Sequence, residues 1–366
     1  MVQKLRVGIL FGGKSAEHEV SILSVKNVIE ALDKNKYEPV LIGIDKRGEW
    51  HLCDSVQFLE NKQGAKPLLP CDGQKDGAHL VSYSEKIPRQ SLDVIFPVLH
   101  GTYGEDGTVQ GLFKLADIPF VGAGVLGSAV GMDKDVMKRL LRDAGIPIAK
   151  FLTMHQSSAH EIDYKFVVAS LGLPFFVKPA NLGSSVGVSK MKNREDWDKA
   201  VELAFEYDHK IILEECINGK EIECSVLGND APIASLPGEV IPQHEFYSYE
   251  AKYLDDNGAH FKIPADLNSL TVIGVQNMAI RAYKALCCAG MARVDFFLRE
   301  NGEIFVNELN TIPGFTKISM YPKMWEVSGI PYSELIDRLI ELAIDRHQKE
   351  KKLKTHFEFD PQRKTV

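Results

Sequence analysis

The stretch MARVDFFLRENGEIFVNELN, residues 291–310, has the residue pattern of a β-hairpin and decides how the rest of the chain is interpreted. Asn301-Gly302 lies at its centre, and this dipeptide favours a tight type I′ turn, because both central residues of that turn need positive φ. A two-residue turn at this place sets the register of the two strands. It predicts these facing pairs: Glu300 with Glu303, Phe297 with Val306, Asp295 with Glu308, and Arg293 with Asn310.

One face of this hairpin collects polar side chains. Because side chains alternate between faces along a strand, we expect Arg293, Asp295, Glu308 and Asn310 to project from the same side. Two carboxylates directly opposite each other, with Cβ atoms about 5 Å apart, repel unless a cation lies between them. Carboxylate and amide oxygens suit Mg²⁺ or Mn²⁺, which complete their shells with water and phosphate. A solvated edge hairpin is the alternative, and we favour the metal site because the opposite face is apolar.

The composition is that of an ordinary globular protein. The 366 residues are 45% hydrophobic and 25% charged, and this length predicts two or three domains. A net charge of −7 argues against nucleic acid or an anionic membrane as a partner. No apolar run reaches the roughly 18 residues of a membrane span. The six cysteines include no C-x-x-C pair, which favours reduced thiols in a cytoplasmic protein.

The first part of the chain alternates strand and helix patterns. Residues 5–11 and 37–45 read as strands with a helix between them, and 93–101 reads as a further strand. This order predicts an α/β unit that binds its ligand at the carboxyl ends of the strands. Glu17 and His100 follow such ends and could hold an acceptor substrate.

The segment VGAGVLGSAVG, residues 121–131, contains the dinucleotide-binding pattern G-x-G-x-x-G. That site needs an acidic residue at the end of a second strand about 20 residues further on. Asp143 has this spacing but falls inside a segment, 128–144, that is helical in pattern. We therefore interpret the glycines as a turn that joins two domains, with a dinucleotide site as the less favoured alternative.

A second unit begins near residue 126 and carries a candidate phosphate site. The strand 174–179 includes Lys178 and precedes the loop GSSVG, residues 183–187. Backbone N–H groups of such a loop can cradle phosphate oxygens. The spacing is not that of a P-loop, and an ordinary hairpin loop would look the same.

A third unit runs from about residue 214 to residue 346. Residues 244–262 carry three tyrosines and few aliphatic side chains, so we predict a loop that closes over ligand, with a surface Ω-loop as the alternative. The Pro313-Gly314 turn follows the hairpin and should expose backbone N–H groups beside its polar face. A loop that binds phosphate, facing a hairpin that binds a divalent metal, is an arrangement suited to cleavage of a nucleoside triphosphate.

Several motifs, taken together and in order, resemble the D-alanine–D-alanine ligase family of the ATP-grasp superfamily over essentially the full length of the chain. They are FGGKSAEHEVS (11–21), HGTYGEDG (100–107), MDKDVMK (132–138), VKPANLGSSVG (177–187), FYSYEAKY (246–253), RVDFF (293–297) and NELNTIPGFT (307–316). The resemblance implies three α/β domains, at 1–125, 126–213 and 214–366, with the nucleotide held between the central and C-terminal domains. It implies ligation of two D-alanine molecules through an acyl phosphate, for peptidoglycan precursor synthesis.

The same resemblance implies roles for individual residues. Asp295, Glu308 and Asn310 would hold two Mg²⁺ or Mn²⁺ ions. ATP would be bound by Lys134, Lys178, Ser184, Glu214, Glu215, Ile217, Glu221, Lys252, Asn307 and Glu308, with the 214–217 backbone facing adenine and Glu221 the ribose. Glu17 would pair with the ammonium group of the first D-alanine. Arg293 and the Gly314 N–H would stabilise the oxyanion, and Ser319 would take the second carboxylate. Ser184 and Tyr253 would form a hydrogen-bonded group with Glu17.

Two related activities remain as alternatives. A D-alanine–D-lactate ligase lacks the tyrosine of the EAKY motif, so Tyr253 favours the dipeptide product. Another ATP-grasp carboxylate–amine ligase would share the hairpin and the glycine loop but should differ at Glu17, Ser184 and Tyr253. A non-catalytic nucleotide-binding module is the third possibility. The expected partners are D-alanine, ATP and, by analogy with the family, a second copy of the chain.

Overall fold

The computed structural model describes residues 3–56, 66–72, 79–82, 90–242 and 259–354, which form three β-sheets with helices packed around them. Each sheet is built from a continuous part of the chain, and the three follow one another in sequence. The mixed α/β architecture expected from the alternating patterns is therefore confirmed.

The first sheet has seven strands, and its centre is parallel. The strands are β1 (Leu5–Gly12), β2 (Tyr37–Ile44), β3 (Trp50–Cys53), β4 (Lys66–Asp72), β5 (His79–Ser82), β6 (Gln90–Ser91) and β7 (Val94–Val98), in the order β6-β5-β4-β3-β2-β1-β7. β1 pairs in parallel with β2 and β7, as the α/β pattern predicts, while β3 to β6 extend the sheet in antiparallel fashion. Helix α1 (His18–Ala31) joins β1 to β2, and α2 (Thr108–Leu115) follows β7.

The single helix expected at 128–144 is in fact two. Helix α3 (Val125–Met132) ends at Asp133, and α4 (Lys134–Asp143) begins directly after it. Asp133 has extended backbone, and its side chain accepts a hydrogen bond from the Val136 N–H at 3.0 Å, so it caps the second helix. The break places Lys134 at the first position of α4.

The glycines of 121–131 pack closely against the third unit. A Cβ on Gly127 would lie 2.6 Å from the carbonyl oxygen of Cys287, and Gly122 has a φ of +94° beside Met291. Close approach of backbone explains Gly127 and positive φ explains Gly122, which supports the domain-joining interpretation over a dinucleotide site.

The second sheet is small and antiparallel. Its strands are β8 (Phe151–His155), β9 (Phe175–Pro179), β10 (Ser189–Met191) and β11 (Lys210–Glu215), in the order β10-β9-β11-β8. A 3₁₀ segment (Gln156–Glu161), helix α5 (Tyr164–Leu171) and helix α6 (Trp197–Tyr207) connect them. The apolar side chains of β9, β11 and α6 form one buried cluster. The loop 183–187 lies between β9 and β10, as predicted.

The third sheet contains the hairpin. Its strands are β12 (Lys220–Gly228), β13 (Ile233–Ala234), β14 (Gly238–Pro242), β15 (Ala259–Lys262), β16 (Gly290–Leu298) and β17 (Ile304–Asn310), followed by helices α8 (Met320–Val327) and α9 (Tyr332–Lys351). Helix α7 (Ser269–Ala285) crosses between β15 and β16. The predicted closing loop 244–262 lies largely outside the described residues, and its end was predicted wrongly, because Ala259–Lys262 pairs with β14 as a strand.

The hairpin prediction is right at the polar face and wrong at the turn. The Arg299 N–H donates to the Glu303 carbonyl at 2.9 Å, so the connection has three residues and only its last, Gly302, has positive φ (+87°). Phe297 therefore pairs with Phe305 and not with Val306. A bulge at Asn307 then restores the expected pairs, Asp295 with Glu308 and Arg293 with Asn310. The longer turn and the bulge shift the strand register in opposite directions, so their effects cancel at the polar face.

The first and third units share a core. One buried cluster joins strands β1 and β7 and helix α1 to side chains from the C-terminal part of the chain, including Phe315, Trp325 and Leu339. A second cluster joins α4 and α7 to the hairpin strands, with Val294 and Phe296 on the face opposite the acidic residues. Among the described residues, none of the helices combines the length and apolarity needed to cross a bilayer.

Candidate active site

The polar face of the hairpin holds a row of acidic side chains. Glu223 on β12, Asp295 on β16 and Glu308 on β17 occupy facing positions on three neighbouring strands. Arg293 binds Asp295 through two hydrogen bonds of 2.7 Å and lies 3.1 Å from Glu223. Asn310 donates to Asp295 at 3.0 Å. The sequence reasoning did not single out Glu223, although the strand register brings it beside Asp295.

The oxygen atoms on this face are suited to bind a hard divalent cation. The Asp295 and Glu308 carboxylates and the Asn310 amide offer oxygens, and a carboxylate has several lone-pair positions, so Asp295 can accept from Arg293 and still bind a cation. Lys134 lies 3.4 Å from Glu308. The carboxylates of Asp295 and Glu308 are neighbours, and Asp295 is nearly buried. Together they favour the close approach of positive charge, so the residues fit Mg²⁺ or Mn²⁺.

A buried carboxylate holds two lysines of the second unit close to the hairpin. Glu214, at the end of β11, is 2% exposed and forms ion pairs with both Lys138 and Lys178. Burial alone would raise the pKa of Glu214, but the two lysines outweigh burial and lower it. The Lys138 ammonium also lies 3.4 Å from the Asn307 carbonyl oxygen at the bulge. Lys138 lies in the MDKDVMK motif, and the sequence reasoning did not assign it a role.

The glycine–serine loop is tied to the first unit. Ser184 and Ser185 both have positive φ, +52° and +59°, which turns successive backbone groups in a manner suited to an anion. The Ser184 hydroxyl donates to the Glu17 carboxylate, and Lys134 donates to the Leu182 carbonyl at 2.8 Å. The predicted pair of Glu17 and Ser184 is therefore present.

The turn at Gly314 packs against Ser319. A Cβ on Gly314 would lie 2.8 Å from the Ser319 hydroxyl oxygen, so a side chain there would displace that hydroxyl. The Ser319 oxygen accepts from the Thr316 N–H at 2.9 Å, and Ser319 directly precedes helix α8. These two predicted substrate-binding residues are adjacent.

The other described residues predicted to bind ATP lie on or just after strands β11 and β12. Glu215 accepts from the Lys150 N–H at 2.7 Å, Ile217 is buried just after β11, and Glu221 faces Phe297 across β12 and β16. Because the Glu214 carboxylate already faces two lysines, it is not free for adenine in this structure. Lys252 and Tyr253 lie outside the described residues.

Taken together, the fold and the site define an ATP-grasp type of enzyme, in which an acidic strand face lies beside lysines and a glycine–serine loop. The family model described as D-ala D-ala ligase C-terminus matches residues 140–341, and the model described as D-ala D-ala ligase N-terminus matches residues 6–123. The chain belongs to the D-alanine–D-alanine ligase family.

Individual relatives agree over nearly the whole chain. A D-alanine–D-alanine ligase of Shouchella clausii is 53% identical over 364 residues, which cover 96% of this chain and 98% of the relative. The structure of a D-alanine–D-alanine ligase from Coxiella burnetii has 44% identity and a TM-score of 0.86, covering 96% of this chain and 97% of the other. The VanG D-Ala:D-Ser ligase of Enterococcus faecalis has 38% identity and a TM-score of 0.84, covering 93% and 100%.

Proposed function

We propose that this chain joins two D-alanine molecules into D-alanyl-D-alanine, with conversion of ATP to ADP and phosphate, in the synthesis of peptidoglycan precursors. The carboxylate of the first D-alanine attacks the γ-phosphorus, ADP leaves, and an acyl phosphate forms. The amine of the second D-alanine then attacks the acyl carbon, loses a proton, and phosphate leaves with the electrons of the broken C–O bond.

Residues from the first and third units would hold the amino acids. Glu17 pairs with the ammonium group of the first D-alanine. Arg293 and the Gly314 N–H donate to the oxyanion of the tetrahedral intermediate, and loss of one such donor typically costs about 3–4 kcal/mol of transition-state stabilisation. Ser319 binds the carboxylate of the second D-alanine. Tyr253, with Ser184 and Glu17, orders the amino-acid site.

Residues from the second and third units would hold ATP. Lys134 and Lys178 neutralise phosphate charge, with Lys252 reaching the γ-phosphate and the 183–187 backbone donating to phosphate oxygens. The 214–217 backbone faces adenine, and Glu221 contacts the ribose. Because Glu214 has both lysines as partners, its contribution is to orient Lys178 and not to contact the base through its side chain.

Asp295, Glu308 and Asn310 would bind two Mg²⁺ or Mn²⁺ ions, and metal bound there neutralises charge on the β- and γ-phosphates. We further propose that the domain divisions at 126 and 214 mark the three units, that the chain works in the cytoplasm, and that it forms a homodimer. The last two proposals come from the cysteine pattern and from family analogy.

The hydrogen bond between Ser184 and Glu17 is the observation that most directly supports this function. It joins the phosphate loop of the second unit to the ammonium-binding residue of the first. A plain nucleotide-binding module has no use for such a link, whereas a ligase must place the attacking carboxylate beside the γ-phosphate. Proximity of this kind can supply several kcal/mol of catalysis.

Phosphate release in MgATP with D-alanine, L-alanine, D-lactate or D-serine tests the proposal, with mass spectrometry of the product. We expect phosphate and D-alanyl-D-alanine with D-alanine alone. Release with L-alanine and not with D-alanine would reject the substrate assignment. D-serine belongs among the acceptors because a D-Ala:D-Ser ligase shares this fold.

Two alternative outcomes identify the related activities. A mixed D-alanine–D-lactate product made in preference to the dipeptide would show a depsipeptide ligase. Nucleotide binding without phosphate release under any of these conditions would indicate a non-catalytic module.

A further inference from the structure

The loop that carries Gly314, residues 311–319, is held by side chains of the first unit. The Ile312 N–H donates to the Glu105 carboxylate at 3.1 Å, and the Ile312 carbonyl lies 3.0 Å from Nδ1 of His100. One residue of the loop is therefore held at both its N–H and its C=O. His100 and Ile312 are buried, at 5% and 2% exposed.

A second residue of the same loop is held in the same way. The Phe315 N–H donates to the Ser24 hydroxyl at 3.2 Å, and the Phe315 carbonyl accepts from Asn27 at 3.1 Å and from Tyr332 at 2.9 Å. Pro313 and Gly314 lie between the two held residues. The turn that presents the Gly314 N–H is thus fixed on both sides.

The hydrogen bonds assign the proton on His100. A carbonyl oxygen can only accept, so Nδ1 of His100 carries the hydrogen that is donated to Ile312. Nε2 is then an acceptor, and it lies 3.4 Å from the Ser24 hydroxyl. Ser24 accepts from Phe315 and donates to His100, which gives one consistent chain of donors. Burial lowers the pKa of His100, which also favours the neutral ring.

Glu105 extends this chain to the ammonium-binding residue. Its second oxygen accepts from the Gly101 N–H at 2.7 Å. Gly101 has a φ of +73°, and a Cβ there would lie 3.0 Å from the Glu17 carboxylate. Glu105 therefore bonds at once to the loop beside Glu17 and to the loop that carries Gly314.

We propose that Glu105 and His100 are positioning residues that hold the Gly314 loop in register with Glu17, so that the two D-alanine sites keep a fixed separation. This inference deepens the proposed function and rests on it. His100 is then a donor to Ile312 and not a general base, because both ring nitrogens are occupied by protein atoms.

Two amide substitutions at His100 separate these roles. The side-chain amide of His100→Asn places a donor near the position of Nδ1, whereas His100→Gln places one near Nε2. We expect His100→Asn to keep kcat/KM for D-alanine within about fivefold of wild type, and His100→Gln to lose at least about tenfold more, the value of one hydrogen bond in a buried site. Equal losses in the two variants would overturn the proposal, since a missing base affects both alike.

Glu105→Gln provides an independent measurement. The Gly101 and Ile312 N–H groups donate to different oxygens of Glu105, and an amide replaces one of those oxygens with an NH₂ group, which cannot accept. Because burial raises the pKa of Glu105 to about 8, the assay is run at pH 9, where wild type has the carboxylate. We expect KM for D-alanine to rise about tenfold while KM for ATP changes less than about twofold. Asp106→Asn is the control, because Asp106 accepts from the Tyr103 and Thr108 N–H groups within its own turn, and it should leave both KM values unchanged.

A parallel rise in both KM values for Glu105→Gln, or an Asp106→Asn effect of the same size, would contradict the positioning role. Failure of Glu105→Gln to fold leaves the His100 comparison as the deciding result. Wild-type protein that releases no phosphate with D-alanine would instead reject the proposed function, so the two failures are distinguishable.

Discussion

At the scale of single residues, three acidic groups of the site have cationic partners. Asp295 faces Arg293, Glu308 faces Lys134, and Glu214 faces a lysine on either side. The two lysines beside Glu214 hold the pKa of its carboxyl below the usual range despite burial. Under the proposed function, Lys134 would exchange Glu308 for phosphate when metal and nucleotide bind together, because the exchange keeps every charge paired.

Glu308→Gln tests the metal assignment without a change of size. We expect at least about a 100-fold loss of phosphate release with a normal far-UV spectrum, since an amide binds Mg²⁺ more weakly than a carboxylate does. Glu303→Gln is the matched control, because Glu303 lies exposed in the turn of the same hairpin, and it should retain full activity. A near-normal rate for Glu308→Gln at saturating Mg²⁺ would remove Glu308 from the metal site.

The pH dependence of D-alanine use should report on Glu105. Burial, followed by the nearby Glu17 charge, raises the pKa of Glu105 to about 8, although two N–H groups and Arg293 act in the opposite direction. Below that pH the carboxyl is protonated and accepts weakly. Above it the carboxylate accepts from both loops, so kcat/KM for D-alanine should rise as the pH passes through about 8.

Profiles of kcat/KM for D-alanine in wild type and Glu105→Gln check this expectation. The amino group of D-alanine titrates identically in both experiments, so the difference between the profiles isolates the protein. The ratio of the wild-type to the variant value should rise as the pH passes through about 8, and a ratio that does not change with pH would contradict the assignment.

At the scale of elements, the hairpin shows what a local pattern can and cannot fix. Asn301-Gly302 located the reversal correctly, but a three-residue turn also needs glycine at a positive-φ position, so the dipeptide could not distinguish the two turns. The bulge at Asn307 has no recognisable sequence signal. The polar face was nevertheless predicted, because alternation of apolar residues identifies the buried side of a strand independently of the turn.

Two glycines with open space around them should respond to alanine with opposite signs. Gly302 has a φ of +87°, so Gly302→Ala should lower the free energy of unfolding by about 1–2 kcal/mol. Gly111 lies inside helix α2, and Gly111→Ala should raise it by about 0.5–1 kcal/mol. Urea unfolding measures both values, and a stabilising effect of Gly302→Ala would show that the turn has another conformation.

At the scale of the whole molecule, helix α9 of the third unit packs on the first unit and forms hydrogen bonds with it. The guanidinium group of the half-buried Arg346 donates to the Phe120 carbonyl at 2.8 Å and to the Gly122 carbonyl, and it stacks 4.6 Å from the Phe120 ring. This contact lies at the joint between the first unit and helix α3. The position of the joint therefore depends on a residue more than 200 positions away in sequence.

Arg346→Met should lower the free energy of unfolding by about 2 kcal/mol, because it leaves two carbonyl groups without their donor. Arg338→Met is the control on the same helix. Arg338 pairs with Glu334 one turn away on the exposed side, and such pairs contribute about 0.5 kcal/mol or less. Equal losses in the two variants would show that Arg346 acts only through its place in the helix.

The order of the three units and most of the proposed site followed from sequence, because motif order and strand periodicity are local properties. The antiparallel strands β4 to β6 did not, since their segment is polar and interrupted by glycine and proline. Lys138, Glu105 and Glu223 also did not, because their partners are distant in sequence. Strand pairing within the third sheet brings Glu223 to the site, and packing between the units brings Lys138 and Glu105 there.

The shared core of the first and third units has a consequence for how the protein is made. Strands β1 and β7 come near the beginning of the chain, yet the side chains that cover them, such as Leu335 and Leu339, belong to its last described helix. The growing chain therefore exposes an incomplete hydrophobic surface until residues 335–339 have been made. Nascent chains of this protein should bind chaperones through that uncovered sheet until helix α9 packs on it.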